Sequence, residues 1–428
     1  MDKLLRLPPR YDLVVGDTFE LFYKGIVFCK NSDFYDFELS FTSGKNLGKG
    51  FDRKYIWEPT AEDVGTHTLR VRLRSNEGEL LDEGTVDLCV HPLPTSPESE
   101  KVVLVIGDSL TAGGVWVKEF HRRLTAEGGT PAGLGLTNIK MIGAKGEGGA
   151  LHEGYGGWRY TSFTTPNVLA RFQILTGDFS DKNDAEDQHS TYRDVNGDEW
   201  KIEYVTAHEM KIIGTMARCA IPAEGGRLTH VSGGVNHGDI VYTSARPTEG
   251  NPFWDVALGR NNFTAYAKKY GVDHIDEAII LLGWNSVRGF TAEVFGEQAT
   301  VLFDSILAEF PQCHITLVTL QVPSRNGFAN NYGVSWPWFD VLRRTFEFGD
   351  VYYRLAEDPR YRERISVVSL AGQYDSVYNE IKMDIPLNNR NATVETVGAN
   401  GVHPSPAGYL QIADAVYRHF CHRLAKGE

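Results

Sequence analysis

The chain has 428 residues, more than one domain usually holds, which predicts two domains or one domain with large insertions. Its 42% apolar and 23% charged residues suit a folded globular protein, and no stretch approaches the roughly 20 apolar residues that cross a bilayer as a helix. A formal net charge of -13 argues against a nucleic-acid partner, which would need a basic face, and suits neutral or cationic substrates better.

Residues 1 to 97 are predicted to form an N-terminal β-sandwich. The segments Tyr11–Val15, Thr18–Phe22, Tyr35–Phe41, Thr66–Leu73 and Thr85–Val90 alternate apolar and polar residues at short spacing with Gly and Asn turns. The first residues, Met1 to Pro9, lack an apolar run of signal-peptide type, so the compartment is left open between cytoplasmic and secreted or periplasmic. The run His91–Glu100 carries three prolines and no periodicity, as a stiff linker does.

From residue 98 to 428 the pattern changes to alternating strands and helices, which predicts a parallel sheet in a three-layer α/β/α body. Val102–Ile106 is an unbroken apolar strand followed by a small-residue turn and a helix over Val115–Glu127. Further strands are predicted at Asn138–Ile142, Ala278–Leu282, His314–Val318 and Ile365–Ser369, with helices at Ala292–Phe310 and Pro406–Leu424. Residues 170 to 250 break the alternation and read as an all-β insertion, with an Asn196–Gly197 hairpin turn as its strongest signal.

Four blocks stand at strand ends: Gly107-Asp108-Ser109-Leu110, the loop Glu153-Gly154-Tyr155-Gly156-Gly157-Trp158, Gly283-Trp284-Asn285-Ser286, and Asn400-Gly401-Val402-His403-Pro404. The carboxyl edge of an open α/β sheet is where ligands bind, so the blocks converge on one site. On its own stretch Ser109 is either a nucleophile or a helix cap. With the other blocks it gains what acyl transfer needs: His403 to remove its proton, and the amides of Ser109 and Gly157 with the Asn285 side chain to hold an oxyanion.

The set resembles the SGNH/GDSL hydrolases, esterases and lipases on a flavodoxin-like fold, and specifically bacterial members with a β-rich insertion. The resemblance covers residues 101 to 165 and 250 to 424. It implies Ser109 as nucleophile, Gly157 and Asn285 as oxyanion-hole residues and His403 as base, with no metal or organic cofactor. One position departs from the family pattern: Asn400 stands where an Asp is usual, three residues before the histidine. An amide carries no charge to stabilise an imidazolium. Three readings stay open: a Ser-His dyad oriented by a backbone or Asn400 oxygen, a carboxylate recruited from elsewhere such as Asp375 or Asp384, or an inactivated enzyme.

Other conspicuous residues carry plainer readings. Trp158 is a loop anchor or a platform for a sugar ring, and Trp284 a candidate substrate contact. His152, Glu153, His208, His230 and His237 lack metal-ligand spacing and read as surface or loop residues. Trp336–Phe339 reads as a set that buries a loop, and Asp108 as a turn residue. Five cysteines, Cys29, Cys89, Cys219, Cys313 and Cys421, form no CxxC pair and signal neither zinc site nor disulfide scaffold. The expected activity is ester hydrolysis on an acetylated glycan or another short acyl ester. A glycan-binding protein on an impaired hydrolase fold, or a lipase, thioesterase or arylesterase, are its rivals.

Overall fold

The computed structural model describes residues 3–176, 189–206, 209–215, 225–233, 238–242, 250–255, 257–328 and 337–427. The chain divides into two compact units, one of Met1–Gly156, Ile275–Val287 and His314–Glu428, the other of Gly157–His274 and Arg288–Cys313. No helix among the described residues is long and apolar enough to cross a membrane.

The first unit is mixed α/β around a largely parallel sheet. Lys101–Gly107 is buried from Val102 onward, as a strand with no polar alternation must be when both faces are covered. Ile139–Ile142 and Ala150–Gly154 pair along one side of it and Glu277–Leu281 along the other, all parallel, and His314–Val318 and Ile365–Val368 extend the sheet. Gly107 stands in register with Leu281 on one side and Gly154 on the other, so three strand ends meet at one edge. The predicted strands are present with ends shifted by a residue or two.

Ala150–Gly154 is a strand the periodicity did not reveal. Its residues His152 and Glu153 are 1% and 0% exposed, which overturns their reading as surface or loop residues. They are tolerated inside because their polar atoms are bonded: His152 Nδ1 accepts the Gly154 N–H at 3.1 Å, and Glu153 accepts the Ala144 N–H at 2.8 Å and the Tyr155 hydroxyl at 2.6 Å.

Helix Val115–Thr125 presents Trp116, Phe120 and Leu124 at four-residue spacing, and Phe120 meets Phe420 of the closing helix Pro406–Ala425 edge-on at 5.4 Å. Trp338–Glu357 is a helix where only an aromatic loop was expected. Trp338 donates its indole N–H to the Pro323 carbonyl at 2.8 Å, while Trp336 lies outside the described residues.

The N-terminal part forms two sheets over one core. Arg10–Val14, Leu80–His91, Gly65–Ser75 and Tyr35–Phe41 make the first, and Phe19–Phe22, Lys54–Trp57 and Lys49–Gly50 the second. Leu13, Leu21, Trp57, Leu69, Val71 and Leu88 belong to the shared core. This part is tied closely to the parallel sheet's helices. Buried Asp17 takes Arg123 at 2.7 Å and Arg418 at 3.0 Å, one from each of two helices. Gly25 and Gly372 approach so closely that a Cβ on Gly25 would lie 2.4 Å from the Gly372 nitrogen. The proline-rich stretch is pinned as well, since Ser96 Oγ accepts the Thr137 N–H at 2.9 Å.

In the second unit six strands close a barrel in the order Val168–Ile174, Glu209–Thr215, Glu199–Thr206, His189–Arg193, Arg227–Gly233, Ile240–Tyr242. The expected hairpin at Asn196–Gly197 is part of it, with Gly197 at φ 86°. Beside the barrel the unit holds helices Phe263–Lys269 and Ala292–Glu309. His230 lies edge-on to Tyr192, with ring centres 5.6 Å apart. His208, His237 and Cys219 lie outside the described residues. Cys29, Cys89, Cys313 and Cys421 are not in disulfides.

Candidate active site

Ser109 is the first residue of a single helical turn, Ser109–Ala112, that starts where the buried strand stops. The turn is tight because Gly107 has no side chain: a Cβ there would lie 2.0 Å from Thr111 Oγ1 and 3.1 Å from the Leu281 carbonyl oxygen. Asp108 is fully buried and caps the turn, its Oδ1 accepting the Leu110 N–H at 3.0 Å. Burial pushes its carboxyl up to about 7, although the amides of Gly283 and Trp284 partly offset this.

His403 reaches the same edge from a hairpin. The strands Glu380–Asn388 and Asn391–Pro404 pair antiparallel, and the second delivers Asn400 to His403 just before the closing helix. His403 Nε2 and Ser109 Oγ are 2.8 Å apart. Burial holds the imidazole below its usual value.

The loop that carries His403 is seated from below. Gln321 donates its amide N–H to the Val402 carbonyl at 2.6 Å and accepts the Trp284 indole N–H at 2.9 Å. Trp284, expected as a substrate contact, is 2% exposed and held by that bond, so it supports the histidine loop. Gln321 was missed, although it lies three residues beyond the end of strand His314–Val318. Gly401 fits tightly as well, since a Cβ would lie 2.7 Å from the Ser324 carbonyl oxygen.

Asn400 does not act as the missing carboxylate. Its Oδ1 accepts the N–H groups of Val402 at 2.9 Å and His403 at 2.7 Å, which leaves the Nδ2 side toward His403 Nδ1 at 3.4 Å. The backbone donors fix this orientation, because a flipped amide would set N–H against N–H. An Asn400 oxygen orienting the imidazole is therefore excluded. The two carboxylates named as candidates have other partners: Asp375 holds Arg53 at 2.8 Å and the Val377 amide at 3.0 Å, and Asp384 is exposed and takes the Thr396 hydroxyl at 2.6 Å.

Asn285 follows Leu281 by four residues, in the turn after the strand that pairs with the Ser109 strand. Gly283 at φ 144° and the Ser286 N–H to Gly283 oxygen bond of 2.8 Å shape that turn. On the other side the Tyr155 N–H donates to the Gly107 carbonyl at 3.0 Å, which anchors the start of the glycine loop. Gly157, at φ 80°, opens the second unit. Trp158 in that unit is 8% exposed and packs edge-on to Phe163 at 4.8 Å, as a loop anchor would.

No protein-family model and no curated protein sequence matches the chain. Solved structures that resemble it include a family 3 carbohydrate esterase from Talaromyces cellulolyticus, at 12% identity over 76% of this chain and 99% of that one, TM-score 0.35. A carbohydrate acetylesterase from Sinorhizobium meliloti shows 12% identity over 76% and 99%, TM-score 0.34. An active-site mutant of a family two carbohydrate esterase from Clostridium thermocellum shows 11% over 97% and 95%, TM-score 0.32. These likenesses are distant.

Proposed function

We propose that the chain is a serine ester hydrolase of SGNH/GDSL type that removes acetyl or other short acyl groups from carbohydrate. The single observation that carries the reading is the 2.8 Å contact between Ser109 Oγ and His403 Nε2 at the carboxyl edge of the sheet. The strand order, with the second strand outside the first and the third, fourth and fifth following on the other side, supports a flavodoxin-like body.

In this reading Ser109 Oγ attacks the ester carbonyl while His403 Nε2 takes its proton, and the oxyanion is held by the Ser109 amide and the Asn285 side chain. His403 then returns the proton to the leaving alcohol, and water repeats the cycle on the acyl-serine. Burial favours the neutral imidazole, but the Asn400 Nδ2 donor favours the tautomer with its lone pair on Nδ1, so taking the serine proton at Nε2 needs the Nδ1–H form. No carboxylate among the described residues is bonded to Nδ1, so turnover is slow relative to a full triad. Residues 1–97 serve as an accessory sandwich and the barrel as an insertion in the hydrolase domain of residues 98–428. Ser109→Ala should abolish hydrolysis of p-nitrophenyl acetate with the fold intact; full residual turnover would remove Ser109 from the mechanism. Acyl-chain preference on a panel of acetylated glycans and longer esters separates this reading from a lipase, thioesterase or arylesterase.

A second reading is a glycan-binding protein on an impaired hydrolase fold. Two observations favour it: the Asn400 amide at the Nδ1 side of His403, and a cavity of about 1030 Å³ in the N-terminal part whose lining includes Tyr23, Tyr35, Phe37 and Tyr55. Failure of a fluorophosphonate probe to label Ser109, together with retention on a glycan column, would support that reading over the first.

A further inference from the structure

The two sheets of the N-terminal part come apart along one edge. Strand Tyr35–Phe41 stands at the outer end of the first sheet and Lys49–Gly50 at the outer end of the second. The inward residues of the first therefore pass from buried Phe41 to half-exposed Leu39, Phe37 and Tyr35. That gap holds the cavity of about 1030 Å³, lined by Phe37, which stacks on Tyr23 at 4.8 Å, and by Phe51, which is 54% exposed. Large aromatic side chains left open to a cavity of this size make platforms for the flat apolar face of a sugar ring.

A second cavity of about 440 Å³ opens from the first, since Lys24, Ser32, Asp33, Ser376 and Val377 line both. Its charge is different. Lys24, Lys30 and Arg325 line it against one carboxylate, Asp33, which Lys24 takes at 2.8 Å. Lys30 and Arg325 form no ion pair among the described residues. Instead Lys30 Nζ lies 5.6 Å from the Phe339 ring centre and the Arg325 guanidinium 5.8 Å from that of Trp338, and Arg325 Nη1 donates to the Lys30 carbonyl at 2.9 Å. Aromatic faces and a backbone bond thus hold two like charges in one cavity, where they repel each other until an anion enters. The cavity borders the histidine loop: Ser324, which lines it, donates its N–H to the Gly401 carbonyl at 2.9 Å, two residues before His403.

We propose that the joined cavities bind a neutral glycan chain that carries a carboxylate, its rings on Phe37 and Phe51 and its carboxylate on Lys30 and Arg325. This assignment rests on the hydrolase reading, in which Ser109 removes the acyl groups of that chain, and it narrows the substrate class to uronate-bearing glycans. A net charge of -13 disfavours a polyanion, and the first cavity is itself lined by Asp33, Asp36, Asp52 and Asp375 against Lys24, Lys45 and Arg53. Charges beyond about 8 Å are screened at physiological salt, so a local pair of cations suits one carboxylate and not a run of them. The planar guanidinium of Arg325 matches the geometry of such a group. An acidic peptide would satisfy the cations but leave the aromatic cavity unused.

The test titrates the full-length protein by calorimetry with xylotetraose, with xylotetraose bearing one glucuronic acid branch, and with a tetraglutamate peptide. The uronate should tighten binding by about 10- to 100-fold over the neutral chain, the worth of a hydrogen bond to a charged group, and the gain should shrink as salt is raised. In the double variant Lys30→Gln, Arg325→Gln the gain should vanish while affinity for xylotetraose stays. In Phe51→Ala both sugars should weaken by about 2- to 10-fold. All three side chains are exposed, and circular dichroism checks that the variants are folded. Failure to bind the uronate sugar, equal affinity for the two sugars, no change in either variant, or a peptide bound as tightly as the uronate would overturn the proposal. Turnover of p-nitrophenyl acetate by the same samples separates the two claims. None of the substituted residues belongs to the proposed catalytic set, so turnover should be unchanged; a protein that binds the uronate sugar without turning over the ester loses the hydrolase reading and keeps the site.

Discussion

The amide of Asn400 commits its oxygen to two backbone N–H groups and turns its nitrogen toward the imidazole of His403. An aspartate there would keep the backbone bonds with one oxygen and accept the Nδ1 proton with the other. In the proposed hydrolase, Asn400→Asp should therefore raise kcat, by up to about 10⁴, the size of the reverse change in a trypsin-type triad. The sign of the pH effect follows too. Burial now lowers the pKa of His403, so the neutral base survives below the usual imidazole range and activity falls only as pH drops through the lowered value. A new carboxylate favours the imidazolium, so the acid limb of the kcat profile should move to higher pH in Asn400→Asp. An unchanged rate and limb would show that orientation comes from another group. Ser109 and His403 were legible because each sits in a short block at a strand or helix boundary. Gln321 was not, because a buried glutamine two blocks away announces nothing until its partners Trp284 and Val402 are in place.

At the scale of elements, the turn after Lys101–Gly107 and the hairpin Glu380–Pro404 do most of the positioning. The turn has no room for a side chain at 107, so Gly107→Ala should cost about 2 kcal/mol or more in urea denaturation and displace Ser109 with a matching loss of activity. A substitution that costs nothing would mean that Thr111 yields freely. The turn was readable, since an apolar run that ends at Gly-Asp-Ser is its own signal. The hairpin was not: Ile381, Met383 and Val394 are 40%, 44% and 60% exposed, so its strands lack the buried face that makes alternation visible. Helix Trp338–Glu357 escaped notice because the aromatic residues at its start drew the reading toward a loop.

For the molecule as a whole, the N-terminal sheets and the helices of the α/β body share buried ion pairs. Asp17 holds Arg123 and Arg418, which are 2% and 4% exposed. Removing the carboxylate strands two guanidinium groups away from water. Asp17→Ala should cost about 3–5 kcal/mol in denaturant unfolding, the range for breaking a buried pair from one side. A loss under about 1 kcal/mol would show that water or Asp414, which also meets Arg123 at 2.6 Å, replaces it.

By itself the sequence determined the class of each region: period-two strands before residue 91, an alternating α/β body after 101, and a β-rich interruption of that body over residues 170 to 250. It also determined which residue types stand at the strand ends, because buried parallel strands are continuous apolar runs and their ends are marked by glycine and small polar residues. Only the tertiary structure decided the strand order, the closure of the barrel, the hairpin that brings His403 to Ser109 and the face that Asn400 shows to the imidazole. These depend on contacts between residues up to several hundred positions apart, and local periodicity carries no information about which distant partner a strand edge or an amide will meet.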